Sequence, residues 1–191
     1  SVTASDRVLV ITGAGNSFCA GADLGGVAAS GEQMHPLHAM VPVNAAAIAL
    51  HELGKPSIAK VNGDAVGAGM NLALGCDLIV AGESARFSEI FARRGLSLDF
   101  GGSWLLPRLV GMHKAKELAF FADILSAREA ERMGLVNRVV PDAELDAFVA
   151  DWAERLSTSA PLALQLSKKL LSNAFSIGLS EALDAEAAAQ S

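Results

Sequence analysis

The sequence predicts an α/β fold, and three observations carry that prediction. Short β-branched apolar runs at 7–12 (RVLVIT), 57–62 (SIAKVN) and 77–82 (DLIVAG) each close on or beside a glycine, as buried strands leading into tight turns do. Helical stretches separate them, and that alternation brings parallel strands together. The chain has 191 residues, 51% hydrophobic and 19% charged. A chain of this size buries roughly 70% of the surface its unfolded form exposes, so one core needs no metal or disulfide.

The first strand runs over 7–12 into GAG. Residues 25–36 (GGVAASGEQMHP) have loop composition, and 37–53 has the apolar spacing of an amphipathic helix stopped by Gly54. The break Lys55-Pro56 precedes the second strand. NGDAVGAG then forms a turn, NLALG continues as helix, and 77–82 is the third strand. From about 110 the chain turns helical with HKAKELAFFAD, followed by SAREAERMG. There Ser126 and Glu129 have capping-box spacing and Gly134 is the stop. LVNRVV at 135–140 reads as strand and Pro141 ends it. A helix over 142–156 places Leu145, Phe148, Val149, Trp152 and Leu156 on one core-facing side. Helices over 161–175, with Pro161 in its first turn, and 179–189 finish the chain. No tandem repeat of fixed period stands out.

Several function classes are excluded. Fifteen Lys and Arg against 21 Asp and Glu give a net charge of −6, with no basic run to follow a phosphate backbone, so nucleic acid is not an expected partner. No apolar run approaches the ~20 residues of a membrane span, and SVTASDRVLV does not resemble a signal peptide. The chain is therefore expected to be cytoplasmic, with Cys19 and Cys76 reduced. His35, His38, His51 and His113 form no metal-ligand spacing, so no metal site is expected, and a GxSxG elbow is missing.

Two glycine-rich turns remain, FCAGAD at 18–23 and NGDAVGAGMN at 62–71. GAGNSF at 13–18 fails as a dinucleotide-binding turn, because Phe18 stands where the third glycine belongs. Small residues let main chain approach a ligand closely, and N–H groups from two loops can converge on one oxygen. A helix starting near Ala68 would turn its positive end to the same point. Spacing alone favours glycines that only serve tight turns.

Four blocks together resemble the crotonase superfamily, the enoyl-CoA hydratase/isomerase family. They are FCAGADL at 18–24, KPSIAKVNGDAVGAGMNLALGCDLIVA at 55–81, GLSLDFGGSWLLPRLVG at 95–111 and AREAERMGLVNRVVP at 127–141. The resemblance implies a crotonase-like spiral of ββα units over 1–111, with a helical region over 112–191 involved in trimerisation. It implies an acyl-CoA thioester substrate, no cofactor beyond the coenzyme A of that substrate, and a homotrimer or dimer of trimers. It places the oxyanion-hole N–H groups at Ala22 and Ala68, the latter flanked by Gly67 and Gly69, and CoA contacts at Ala20, Asp23 and Leu24. It also implies that the family pattern extends beyond both ends of these 191 residues.

Family hydratases use two glutamates, one for water and one for the proton at the alpha carbon. Here those positions hold Asn71, able to hold a water but not take its proton, and Phe91, left to line the substrate site. Glu89, two residues before Phe91, reads as a solvated loop residue, its other reading being a carboxylate that reaches the site through a shift of register. Asp99, in GLSLDFGG, matches an aspartate that several family isomerases use as proton shuttle, and Leu98 and Phe100 beside it would desolvate and strengthen it. Its other reading is a cap of a helix over GGSW. The expected activity is double-bond isomerisation through an oxyanion-stabilised enolate, with conventional hydration or acyl-CoA binding without catalysis as alternatives. The acyl pocket is expected among Phe87, Phe91, Leu98, Phe100 and Trp104.

Overall fold

The computed structural model describes residues 2–21 and 36–190. Its strands are β1 (Leu9–Thr12), β2 (Ser17–Cys19), β3 (Ser57–Val61), β4 (Asp64–Val66), β5 (Leu78–Gly82), β6 (Arg86–Ser88), β7 (Leu125–Ser126) and β8 (Arg138–Val140). The helices are α1 (Pro36–His51), α2 (Ala68–Leu74), α3 (Gly102–Phe121), α4 (Ala127–Arg132), α5 (Leu145–Thr158), α6 (Pro161–Asn173) and α7 (Leu179–Ala189). Strands β1 to β6 are dealt alternately to two sheets, ordered β1-β3-β5-β8 and β2-β4-β6-β7. Every pairing is parallel except β6 with β7. This is the expected spiral of ββα units. The units open at Leu9, Ser57 and Leu78, so unequal insertions hide the repeat from the sequence.

Side chains of the first sheet alternate between two apolar layers, as a strand covered on both faces requires. Ile58 and Val80 pack with Leu145 and Val149 of α5, and with Phe148, Trp152 and Leu156 of the predicted helix face. Ala59, Val61, Ile79 and Ala81 point the other way, into the main core with Ala65, Met70 and Phe87. The inner face of α1 is likewise periodic: Met40, Val43 and Ala47 are half-buried and Leu50 is buried.

The capping box of α4 forms as predicted. Glu129 N–H donates to Ser126 Oγ at 3.3 Å and Ser126 N–H to Glu129 Oε2 at 2.9 Å, and Gly134 stands past the end at φ 81°. Helices α6 and α7 bury no residue. Lys168 ties α6 to the body through Asp77 at 2.8 Å and the Lys55 carbonyl at 3.1 Å. Both cysteines are free, and burial pushes the Cys76 thiol up to about 12, which keeps it inert. Among the described residues, no helix is long and apolar enough to cross a membrane.

Four expectations need correction. The helix expected from about 110 begins at Gly102, and Gly111 (φ 76°, ψ 162°) breaks it, so the predicted start marks only its second half. Gly102 and Pro107, both poor helix formers, interrupt the first half, of which the sequence suggests only a start over GGSW. The strand expected over 135–140 is confined to Arg138–Val140, because Leu135 and Val136 are buried in a turn that closes α4. The helix expected from 142 begins at Leu145, after a 3-10 turn over Asp142–Glu144. β2, β4, β6 and β7 hold two or three residues each, too few for a period of two to register, and β2 and β4 fall within stretches read as turns.

Candidate active site

The ends of β2 and β4 meet where both glycine-rich turns emerge. Asn62, just after β3, clamps the earlier GAG turn at 13–15 that leads into β2: its Oδ1 accepts from Gly13 N–H at 3.1 Å, and its Nδ2 donates to the carbonyls of Gly13 at 3.2 Å and Gly15 at 2.9 Å. The contacts above it leave no room for side chains. A Cβ on Gly63 would lie 2.0 Å from the Asn16 carbonyl oxygen, and one on Gly69 would lie 2.0 Å from that of Cys19. Gly69 is thus a packing residue that seats α2 on β2. Gly67 takes φ 56° and turns the chain into α2, its N–H donating to the Ser88 carbonyl at 2.8 Å. The N–H of Ala68, first in the helix, has no acceptor among the described residues. A Cβ on Gly21 would lie 3.7 Å from that nitrogen, so the FCAGAD turn does reach Ala68. Ala22, Asp23 and Leu24, like His35 and most of the 25–36 loop, lie outside the described residues.

A cleft of about 510 Å³ opens at this junction, and Ala20, Gly21, Gly67, Ala68, Phe91 and Asp99 all line it. Arg94 and Asp64 line it as well, neither of them singled out by sequence. Asp99 does not cap α3. Gly101 holds the cap position with no side-chain bond, and Gly102 N–H donates to the main-chain carbonyl of Asp99 at 2.9 Å. Asp99 Oδ1 has no hydrogen-bond partner among the described residues, and burial raises the carboxyl above its ordinary range. The chain leaves Asp99 through Phe100 at φ 47° and Gly101 at φ 83°. A left-handed phenylalanine costs on the order of 1–3 kcal/mol and persists only where its surroundings hold it.

Behind Asp99 the sequence reading requires a correction. Glu89, expected to be a solvated loop residue, is 1% exposed. Asn71 is fully buried, and its Nδ2 donates to Glu89 Oε2 at 3.3 Å and to the Asp99 carbonyl at 3.0 Å. Asn71 and Gly69 therefore stand behind the cleft and not on its wall. Burial pushes Glu89 up to about 8, with the Asp99 charge adding and the Asn71 hydrogen bond opposing. Glu89 was missed because it sits after a three-residue strand, where no periodicity reports which way a side chain points.

The acyl-pocket expectation is also corrected. Phe87 is sealed in the core, Leu98 packs against that core, and only Phe91 lines the cleft. Phe100 and Trp104 line a separate hollow of about 230 Å³ against α1, where His51 meets Trp104 edge-on at 5.2 Å. Arg108 lies 3.8 Å over the Trp104 ring.

The buried acid makes a stability prediction. Below about 4.5 Glu89 is protonated folded and unfolded; above it only the unfolded chain ionises, so its burial becomes costlier until the folded group titrates near 8. Glu89→Gln is expected to stabilise the fold, by on the order of a few kcal/mol at alkaline pH. Urea denaturation at acid and alkaline pH checks this, the gain vanishing at the acid end.

A spiral of ββα units whose inner helix begins at an acid-bearing cleft defines the class: this is the crotonase architecture. Residues 3–191 match the pattern of the enoyl-CoA hydratase/isomerase family, and the chain belongs to that family. It is 40% identical over 190 residues to a "Probable enoyl-CoA hydratase" of Rhodobacter capsulatus, spanning 95% of this chain and 69% of that protein. It is 39% identical over 183 residues to the 1,2-epoxyphenylacetyl-CoA isomerase of Escherichia coli, spanning 94% and 70%. The crystal structure of an enoyl-CoA hydratase from Bacillus anthracis superposes with a TM-score of 0.93 at 36% identity, over 98% of this chain and 73% of that one.

Proposed function

We propose that this protein isomerises enoyl-CoA thioesters, moving a double bond between the 2,3 and 3,4 positions. One observation carries the reading: Asp99 faces the same cleft as the Ala68 N–H with one oxygen that has no hydrogen-bond partner among the described residues, whereas Asp64, the other carboxylate on that lining, is held by Arg86 through two hydrogen bonds of 2.8 Å. The N–H groups of Ala22 and Ala68 hold the thioester oxygen. Asp99 removes a proton at one carbon, the carbonyl oxygen carries the dienolate charge, and Asp99 returns the proton two carbons away. Both hydratase glutamate positions are apolar or amide, Phe91 and Asn71, so no pair of carboxylates faces a water across the alkene. Ala20, Asp23, Leu24 and Gly67 border the CoA arm, and Phe91 the acyl chain. The 1,2-epoxyphenylacetyl-CoA isomerase name of one relative lends weight to isomerisation.

Coenzyme A arrives as part of the substrate, and the reaction as drawn needs neither metal nor further cofactor. Residues 112–191 supply the helical region of a trimer or dimer of trimers in the cytoplasm. α6 and α7, with no fully buried residue, favour that assignment, and Leu162, Leu171, Phe175 and Leu179 are each more than half exposed. Absorbance of the conjugated thioester tests the activity: 3-enoyl-CoA is expected to gain it on incubation. A protein that binds the ester and leaves the absorbance unchanged is a binding module, and the reading fails.

A further inference from the structure

Glu89 is a buried acid that nothing so far explains. It stands at the cap position of the 3-10 turn Ile90–Arg94 and makes no cap hydrogen bond. It joins no ion pair among the described residues: Arg93 beside it turns to Asp123 at 2.6 Å, and Arg94 is exposed on the cleft. Among the described residues its side chain hydrogen-bonds one partner, the Asn71 amide, which in turn binds the main chain of Asp99. Gly102 makes space for that amide, since a Cβ there would lie 2.4 Å from Asn71 Nδ2.

We propose that Glu89 is a positioning residue for Asp99, acting through Asn71, which it orients so that one amide nitrogen holds the carbonyl of the proton-shuttling residue. This rests on the reading of Asp99 as the proton-transfer group. The carbonyl oxygen of the Glu89 carboxyl accepts from Nδ2 as the Asp99 carbonyl does, so the two acceptors together hold the Asn71 amide with its nitrogen forward. The Asp99 carbonyl then takes two donors, Asn71 Nδ2 and Gly102 N–H, immediately before the left-handed Phe100. A segment strained at that point keeps its shape only when its neighbours over-determine it.

The protonation state of Glu89 supplies a signature. The charged and polar groups facing it are the Asp99 carboxylate, from the loop before α3, and the Asn71 amide from α2. While Glu89 is neutral it adds no charge beside Asp99. Once it ionises, near 8, a second negative charge opposes the enolate and holds the proton on Asp99.

The test compares kcat and KM for enoyl-CoA isomerisation across pH in the wild type, Glu89→Gln, Glu89→Ala and Asp99→Asn. The wild-type kcat is expected to fall as pH rises through about 8, and Glu89→Gln to lose that fall. Glu89→Ala removes the acceptor and is expected to lower kcat roughly a hundredfold with little change in KM, as slight misplacement of a reacting group does. Gln is expected to recover most of that loss. The infrared band of a protonated carboxyl at neutral pH is expected to vanish in Glu89→Gln, a readout independent of turnover. An alkaline fall that persists in Glu89→Gln, or an alanine variant that folds with wild-type kcat, overturns the proposal. Isomerisation that survives Asp99→Asn instead overturns the assignment of Asp99.

Discussion

Asp99→Asn is expected to lower kcat for isomerisation by roughly a hundred- to ten-thousand-fold, the range for removing a positioned general base. The substitution keeps the shape of the side chain and removes its ability to accept a proton. Only the side chain changes, so the bonds from Gly102 N–H and Asn71 to the main-chain carbonyl survive, and the loop through Phe100 and Gly101 keeps its course. Binding of the CoA ester is expected to persist, because the Ala68 N–H and the glycine turns are untouched. Titration with a non-reactive acyl-CoA analogue separates the two effects: loss of kcat with retained affinity assigns Asp99 to the chemical step.

Gly69→Ala is expected to be as damaging for a different reason. A Cβ there would lie 2.0 Å from the carbonyl oxygen of Cys19, which is main chain in a strand and has no rotamer to escape through. α2 must then lift from β2, and the Ala68 N–H moves with it. Loss of one oxyanion donor costs about 3–4 kcal/mol of transition-state stabilisation. The variant is expected to lose stability as well, by roughly 1–3 kcal/mol or more for an overpacked contact. A lowered Tm together with a collapse of kcat is the expected result, whereas Asp99→Asn should leave Tm nearly unchanged.

The fold and the site were legible to different degrees, for physical reasons. β3 and β5 are covered on both faces, and a doubly buried strand writes a continuous apolar run that the sequence displays. The α5 face and the α4 capping box are local patterns, and both formed as expected. The second sheet was invisible because each of its strands is two or three residues long. Asp99 and the two glycine turns were legible only through the family resemblance, since spacing alone did not separate a catalytic turn from a tight one. Glu89 was misread as solvated. Its burial depends on α2 and the Asp99 loop, which are distant in sequence, so no local pattern records it. The expected acyl pocket failed similarly: five apolar residues close in sequence were dispersed to the core, the cleft and the hollow against α1.

A merely solvated Glu89 would cost nothing to keep. A buried one lowers stability as pH rises toward 8, and such a cost is retained where function requires it. The same residue therefore joins the pH dependence of folding to that of turnover, and Glu89→Gln is expected to improve the first while altering the second.

The central claim is that one carboxylate moves a proton and no water is added. Incubating the wild type and Asp99→Asn with 2-enoyl-CoA and 3-enoyl-CoA in deuterated water, and following product mass, tests it most directly. With the proton on Asp99 exchanging with solvent before its return, the wild type is expected to take up deuterium without gaining the mass of water, and Asp99→Asn to take up none. Hydrated product that still forms in Asp99→Asn would contradict the account.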